Sequence, residues 1–211
     1  MIKAVVFDCD GVLVDSEPLA ARAWAEAIAA YGYNITGGDL EACLGITEDA
    51  MHAYLSQRVD LPPYEAVIAE VDEIRFELFD AHLRAFPDAV ESVRALALEG
   101  IPLAVASSSR RFALDRKLAR FDLARYFDVI VAGDQVARGK PAPDVYLAAA
   151  DGLGIEPKHC FAIEDARNGA ESASAAGMRV VVVSRSGAIM PPYATVSSVD
   201  SFEIRSWMGL G

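Results

Sequence analysis

The strongest constraint on the fold is a series of short apolar runs, rich in β-branched residues, that alternate with helical patterns. Each run is bounded by polar or glycine-containing segments, as buried strands are. The runs occupy residues 4–7, 103–106, 129–132, 160–163 and 180–183, and the helical patterns occupy residues 89–98, 111–120, 144–153 and 167–176. Because strands that alternate with helices form parallel sheets, we predict an α/β fold with a parallel sheet and helices on both faces.

Residues 15–85 interrupt this alternation, since they contain no convincing strand pattern. Apolar residues recur there at helical spacing in two stripes, Leu19, Ala23, Ala27 and Tyr31, then Val67, Val71, Ile74 and Leu78. We therefore predict an inserted α-helical domain over residues 15–85, with residues 1–14 and 86–211 forming the α/β domain. The two chain crossings between the domains are expected to act as a hinge.

The charge of the chain limits its partners. The sequence has 31 acidic and 19 basic residues, which gives a formal net charge of −12. This excess repels phosphate backbones and anionic lipid heads, so we predict binding neither to nucleic acid nor to membranes. The apolar stretches are too short for a membrane span, and no signal peptide is predicted. A small anionic substrate would need its own cation.

Cysteine usage indicates the compartment. Cys9, Cys43 and Cys160 are scattered and form no CxxC pair, which argues against a disulfide framework or a zinc site and suits a reducing cytosol. We interpret the three as small buried hydrophobic residues. We expect a cytoplasmic monomer, although no residue pattern fixes the oligomeric state.

Polar residues that could take part in catalysis or metal binding follow the predicted strands. They are Asp8 and Asp10 after the first strand, Ser107 after the second, Lys140 in the loop after the third, and Glu164 and Asp165 after the fourth. In open α/β sheets ligands bind at the carboxyl ends of the strands, so these residues should meet at one edge. Clustered carboxylates need a cation, and oxygen ligands favour Mg²⁺ over zinc. The sequence therefore predicts phosphoryl chemistry with Mg²⁺ as cofactor.

Four motifs carry a family resemblance. In order, "FDCDGVLVDSE", "VASSS", "GKPAPD" and "IEDARNG", with a helical insert after the first, resemble the haloacid dehalogenase (HAD) superfamily, in its phosphatase and β-phosphoglucomutase-like branch with a helical cap. The resemblance runs from Met1 to about Ser184. It implies a Rossmann-like core domain and makes residues 15–85 the cap domain.

The resemblance implies a role for each aspartate of the first motif. Asp8 would be the nucleophile that attacks phosphorus and becomes an aspartyl phosphate. Asp10 would be the general acid that protonates the leaving alkoxide and then, as base, activates water; it would be protonated at the first step beside another carboxylate. The main-chain carbonyl of Asp10 would also be a metal ligand.

The remaining motifs would supply charge and metal ligands. Ser107 would donate a hydrogen bond to a phosphoryl oxygen, and Lys140 would place a positive charge on the same group and on Asp8. Asp165 would ligate Mg²⁺ directly, with Glu164 close by. The predicted metal site thus comprises Asp8, Asp10, Glu164 and Asp165. Two alternatives stay open, namely that Glu164 is a structural partner of a basic residue and that Ser108 or Ser109 caps a helix.

Two functions compete within this family resemblance. The first is a Mg²⁺-dependent phosphatase acting on a small phosphorylated sugar, polyol or hydroxy acid, and the second is a β-phosphoglucomutase-like mutase. Such mutases carry a histidine at the position of Ala20 and an arginine at that of Glu48, and an acid there would repel a second phosphate. Arg58 or Arg75 could compensate, so the mutase is disfavoured but stays open.

Two further alternatives are less favoured. A phosphoacceptor signalling domain lacks a helical insert of this length after the first strand. A haloacid dehalogenase needs neither a metal nor a second aspartate. Substrate contacts are predicted at Gly45, Ser108 and Arg75, but the identity of the substrate is not predicted. The tail from about Gly187 has mixed patterning, and no role is predicted for Trp207.

Overall fold

The α/β part of the protein is built on one parallel sheet. The computed structural model describes residues 1–43, 47–200, 204, 206 and 207. Within them the strands are β1 (Ala4–Phe7), β2 (Leu103–Ala106), β3 (Val129–Val131), β4 (Cys160–Glu164), β5 (Arg179–Val183) and β6 (Ala194–Val196). Their order in the sheet is β3-β2-β1-β4-β5-β6, and every neighbouring pair is parallel.

The helices follow the predicted patterns closely. They are α1 (Glu17–Ala29), α2 (Gly37–Ala42), α3 (Glu48–Leu55), α4 (Tyr64–His82), α5 (Pro87–Leu98), α6 (Arg111–Arg120), α7 (Asp144–Leu153) and α8 (Arg167–Ala175). Short 3₁₀ turns cover Ala124–Tyr126, Gly133–Gln135 and Pro157–His159. Helix α5 begins two residues before its predicted start because Pro87, which lacks an N–H donor, suits the first turn of a helix.

Both faces of the sheet are covered, as the near-continuous apolar runs predict. On β1, Ala4 and Val6 pack with residues of α7 and α8 in one buried cluster. The alternating residues Val5 and Phe7 face the other side and are equally inaccessible to solvent. The Phe7 ring there meets the edge of the Phe127 ring at 6.0 Å between centroids. The predicted parallel α/β fold is therefore confirmed.

The strand order places a crevice between β1 and β4. The chain moves outward from β1 through β2 to β3 in one direction, and from β4 through β5 to β6 in the other. In such sheets the connections leave the two central strands on opposite sides, which opens a binding crevice at their carboxyl ends. The motifs after β1 and β4 both lie at this crevice.

The chain divides into two compact units. The first unit comprises Met1–Asp15 and Ala85–Gly211, and the second comprises Ser16–Arg84. These boundaries differ by one residue from the predicted ones. Val14 and Ala85 form an antiparallel bridge at the two crossings. That the second unit acts as a cap stays a prediction.

The second unit has its own helical core. Helix α1 packs along α4, and their apolar stripes share one buried cluster that contains Ala23, Trp24, Ala27, Val67, Val71 and Leu78. Trp24 is 3% exposed, in agreement with its interpretation as a core residue. No helix within the described ranges has the length and apolar character that a membrane crossing requires.

The C-terminal segment adds structure that the sequence did not predict. Strand β6 pairs with β5, with Val182 opposite Thr195. Further on, the Trp207 ring stacks on Phe161 of β4 at 5.5 Å between centroids, and Arg179 donates a hydrogen bond of 2.9 Å to the Trp207 carbonyl. Trp207 therefore covers part of the sheet.

Candidate active site

A buried lysine joins two carboxylates at the carboxyl ends of the central strands. Lys140 Nζ lies 2.7 Å from Asp8 Oδ1 and 2.6 Å from Glu164 Oε1. It also donates to the Ala106 carbonyl at the end of β2, at 3.0 Å. All three charged side chains are less than 10% exposed. Residues from three separate motifs thus meet where the strand order predicts.

The electrostatics of this cluster follow from burial. Desolvation raises the pKa of Asp8 to about 7; the Lys140 ammonium opposes this rise, and the Glu164 and Asp10 carboxylates add to it. Burial alone would lower the pKa of Lys140, but the carboxylates of Asp8 and Glu164 raise it above its ordinary value. One ammonium cannot balance all the nearby carboxylates, so the cluster favours a further cation.

Asp165 extends the cluster into an oxygen-ligand set. Asp8, Glu164 and Asp165 each offer a carboxylate oxygen, and these oxygens lie within 4.8 Å of one another. Three carboxylates without nitrogen or sulfur donors match the preference of Mg²⁺. The donor set therefore fits the predicted ion. The Asp10 carboxylate is not in this group.

Two glycines make room for these acids. A Cβ atom on Gly11 would lie 1.8 Å from Asp165 Oδ2, and Gly11 has a φ of +75°, which other residues rarely adopt. A Cβ atom on Gly169 would lie 1.9 Å from Glu164 Oε1. The glycines of the first and fourth motifs thus allow the two carboxylates their positions.

The Asp10 carboxylate has two partners that the sequence did not predict. Oδ1 lies 2.5 Å from Lys117 Nζ, and Oδ2 accepts a hydrogen bond of 2.9 Å from Ser109 Oγ. Lys117 also donates to Ser109 Oγ at 2.8 Å. Both oxygens of Asp10 are thus held by groups on the segment after β2.

Ser107 is fully buried at the end of β2. Its main-chain N–H donates to the Val131 carbonyl at 3.0 Å, which fixes the segment against β3. Its Oγ accepts a hydrogen bond of 3.0 Å from the Ser109 N–H. An oxygen that accepts through a lone pair keeps its own O–H as a donor, as contact with a phosphoryl group would require.

The alternative helix-capping role of Ser108 or Ser109 is wrong. The N-cap residue of α6 is Arg110, and it makes no side-chain cap. Instead, Asp134 from the turn after β3 accepts a hydrogen bond of 2.9 Å from the Arg111 N–H in the first turn. Ser108 is exposed, and its predicted contact with substrate stays a prediction.

Arg75, which is predicted to contact substrate, is paired with acidic side chains. Arg75 pairs with Glu48 and, at 2.8 Å, with Asp72, so two acids already offset its charge. The substrate-binding role predicted for Arg75 stays a prediction. Gly45 lies outside the described residues.

Sequence reasoning missed two residues that contact the site. The Tyr146 hydroxyl donates to Glu164 Oε1 at 2.6 Å, and its ring centroid lies 4.9 Å from Lys140 Nζ. Tyr146 lies in the first turns of α7, six residues after Lys140. It belongs to an apolar stripe of that helix, so the sequence pattern indicated no role for its hydroxyl group. Lys117 lies in a charged run but shares its helix face with the buried residues Leu114 and Leu118, and this spacing was the available signal.

Comparison with known proteins places these motifs in a family. A profile of haloacid dehalogenase-like hydrolases matches residues 2–177. The "Phosphorylated carbohydrates phosphatase" of Thermotoga maritima is 35% identical over 179 residues, which cover 84% of this chain and 82% of that protein. Hexitol phosphatase B of Escherichia coli strain K12 is 34% identical over 185 residues, which cover 86% and 83%.

A solved structure shares the fold along nearly the whole chain. The crystal structure of CbbY from Rhodobacter sphaeroides in complex with phosphate has a TM-score of 0.83 and 28% identity, and the match covers 94% of this chain and 95% of that one. Together with the profile match and the two phosphatases, it confirms the resemblance carried by the four motifs. The chain belongs to the haloacid dehalogenase-like hydrolase family.

Proposed function

We propose that this enzyme is a Mg²⁺-dependent phosphatase that hydrolyses a small phosphorylated metabolite through an aspartyl phosphate on Asp8. Its class, a HAD-type phosphoric monoester hydrolase, follows from the family and its phosphatase relatives. The observation that carries the mechanism is the buried contact of Lys140 with both Asp8 and Glu164, next to Asp165.

In the first step the Asp8 carboxylate attacks phosphorus. Lys140 holds Oδ1, which orients the carboxylate and places a fixed positive charge beside the developing phosphoryl charge. A bond forms between Asp8 and phosphorus, the bond to the leaving oxygen breaks, and the Asp10 carboxyl gives its proton to that oxygen. The products are an alcohol, an aspartyl phosphate and an Asp10 carboxylate.

In the second step water cleaves the aspartyl phosphate. The Asp10 carboxylate takes a proton from the attacking water, a bond forms between the water oxygen and phosphorus, and the bond to Asp8 breaks. Inorganic phosphate leaves and Asp10 is again protonated. The Ser107 hydroxyl donates to a phosphoryl oxygen throughout.

The ion site would be formed by side chains of both central strands. Asp8, Asp165 and Glu164 would hold Mg²⁺ together with the Asp10 main-chain carbonyl. When bound, Mg²⁺ offsets the charge of the phosphoryl group and the acids around it. Tyr146 and Lys140 keep Glu164 in place by hydrogen bonds of 2.6 Å each.

We propose a sugar, polyol or hydroxy-acid phosphate as the substrate. Two relatives are named as phosphatases of phosphorylated carbohydrates and of hexitols, which supports this class. The mutase alternative stays open but is disfavoured, because Glu48 stands where such mutases carry arginine and the two arginines that could compensate are paired with acids. Arg75 pairs with Glu48 and Asp72, and Arg58 pairs with Asp39 at 3.0 Å. A cytoplasmic monomer stays a prediction.

A metabolite screen tests the proposed function. Wild-type protein with Mg²⁺ is assayed for phosphate release from some dozens of sugar, polyol and hydroxy-acid phosphates, beside Asp8→Asn, whose amide is nearly isosteric. We expect release from several substrates and a loss of at least about 10³-fold in the variant, because an amide cannot serve as the nucleophile. Turnover by Asp8→Asn near the wild-type rate would contradict the assignment, as would conversion of glucose 1-phosphate to glucose 6-phosphate without phosphate release.

A further inference from the structure

A buried lysine outside the four motifs contacts the proposed general acid. Lys117 lies in the middle of α6 and is 5% exposed, although the helix around it is rich in charged, exposed residues. Its ammonium lies 2.5 Å from Asp10 Oδ1 and 2.8 Å from Ser109 Oγ. Burial of an ammonium is costly unless a partner offsets its charge, so Asp10 and Lys117 are matched to each other.

The contact distinguishes the two oxygens of Asp10. Oδ1 faces the ammonium, which has hydrogens to donate and no lone pair to accept one. A proton on Oδ1 would therefore face another positive charge. Oδ2 accepts from the Ser109 hydroxyl at 2.9 Å, and this donor carries no charge. Oδ2 is thus the oxygen on which Asp10 can carry or accept a proton.

We propose that Lys117 is a positioning residue that holds Asp10 Oδ1, so that Oδ2 gives the proton to the leaving oxygen and later takes one from water. The inference rests on the proposed function and deepens it. In the first step the Oδ2–H bond breaks, the proton joins the leaving oxygen as the ester bond breaks, and Asp10 remains as a carboxylate. In the second step the proton lost by water returns to Oδ2.

The charge on Lys117 also keeps this arrangement in place. Lys117 donates from its ammonium to both Asp10 and Ser109, so one cation holds the carboxylate and its hydroxyl partner. Ser109, which accepts from Lys117 and donates to Asp10, closes a triangle of hydrogen bonds and limits rotation of the carboxyl group.

The leaving-group dependence of the reaction tests this role. Phenyl phosphate and p-nitrophenyl phosphate have similar shapes, but phenol is the poorer leaving group and depends more on protonation. The value of kcat/KM is measured for both with wild type and with Lys117→Met, whose unbranched side chain is one atom shorter than that of lysine and carries no charge. We expect the phenyl to p-nitrophenyl ratio of kcat/KM to fall by about fivefold or more in the variant. An unchanged ratio overturns the proposal.

A matched control separates positioning from general damage to the helix. Leu114 is buried on the same face of α6, one turn before Lys117, and no hydrogen bond links its apolar side chain to Asp10. Leu114→Ala is expected to lower both values of kcat/KM by the same factor and leave their ratio unchanged. A fall in the ratio for Leu114→Ala equal to that for Lys117→Met would overturn the proposal.

Ser109→Ala provides a second test of the same contact. If Lys117→Met does not fold, as circular dichroism would reveal, Ser109→Ala takes its place, because it removes the hydroxyl between Lys117 and Oδ2; an unchanged ratio there also overturns the proposal. Failure of the proposed function itself is distinguishable. It would be seen as wild-type protein that hydrolyses neither ester, or as Asp8→Asn that hydrolyses both at the wild-type rate.

Discussion

At the scale of a single residue, Gly11 decides whether Asp165 can join the acid cluster. Its positive φ turns the chain sharply after Asp10, and the Gly11 N–H donates to the Val14 carbonyl at 2.9 Å. Its missing side chain leaves the space that Asp165 Oδ2 occupies. One glycine therefore serves both the turn and the proposed metal site.

Substitution of Gly11 by alanine should disturb both the turn and the proposed metal site. Gly11→Ala is expected to weaken Mg²⁺ binding, measured by isothermal titration calorimetry, because the new Cβ would displace the Asp165 carboxylate. The left-handed backbone should also cost about 1–2 kcal/mol in the free energy of unfolding.

Gly100→Ala is the matched control for this prediction. Gly100 has a φ of +72°, and no atom lies within 4 Å of a Cβ placed there. It should show a similar loss of stability with unchanged Mg²⁺ binding. Equal Mg²⁺ affinity in Gly11→Ala and Gly100→Ala would count against Asp165 as a ligand.

At the scale of an element, Asp39 organises the first turn of α2. Its Oδ2 accepts hydrogen bonds from the Thr36 N–H at 2.9 Å and the Thr36 hydroxyl at 2.6 Å, and from the Tyr33 hydroxyl at 2.9 Å. Tyr54 and Arg58 reach Oδ1 at 3.1 and 3.0 Å. The hydroxyl and N–H of Thr36, then the tyrosine hydroxyls, hold the pKa of Asp39 well below its ordinary value of 3.8.

This network predicts a pH-dependent stability of the second unit. Because the folded pKa is depressed, the stabilisation is fully present above about pH 4 and is lost as the pH falls through the folded pKa. Asp39→Asn should therefore be less stable than wild type at pH 6, and the difference should shrink at pH 3.

Urea unfolding followed by tryptophan fluorescence checks this expectation. A Trp207→Phe background leaves Trp24, buried in the second unit, as the reporter. Tyr33→Phe in the same background should show a smaller change in the same direction, since it removes one donor. A difference between Asp39→Asn and its parent that is the same at both pH values would contradict this account.

At the scale of the whole molecule, the features predicted best were the strands and helices, because each depends on a repeated pattern of apolar residues. The central strands are buried on both faces, so their sequences are continuous apolar runs, and the helices between them carry clear stripes. Once the parallel order was inferred, the convergence of Asp8, Lys140 and Glu164 followed from strand ends alone. Their chemical roles stay predictions.

The features that sequence reasoning missed depend on single tertiary contacts. Strand β6 is three residues long and partly exposed, and it is fixed by main-chain pairing to β5, which leaves no side-chain pattern. The helix face of Lys117 indicated burial, but its partner Asp10 is distant in sequence and no local pattern identified it. The position of Trp207 likewise depends on its stacking contact with Phe161. Long-range pairings of this kind cannot be inferred from local periodicity.

The central claim is that Asp8 becomes transiently phosphorylated. Wild-type enzyme with Mg²⁺ and p-nitrophenyl phosphate is quenched in acid and reduced with borohydride, which converts an acyl phosphate to an alcohol, and the peptides are sequenced by mass spectrometry. The account predicts the reduced residue at position 8 and unmodified peptides in Asp8→Asn. Rapid turnover with the reduced residue at another carboxylate would contradict it.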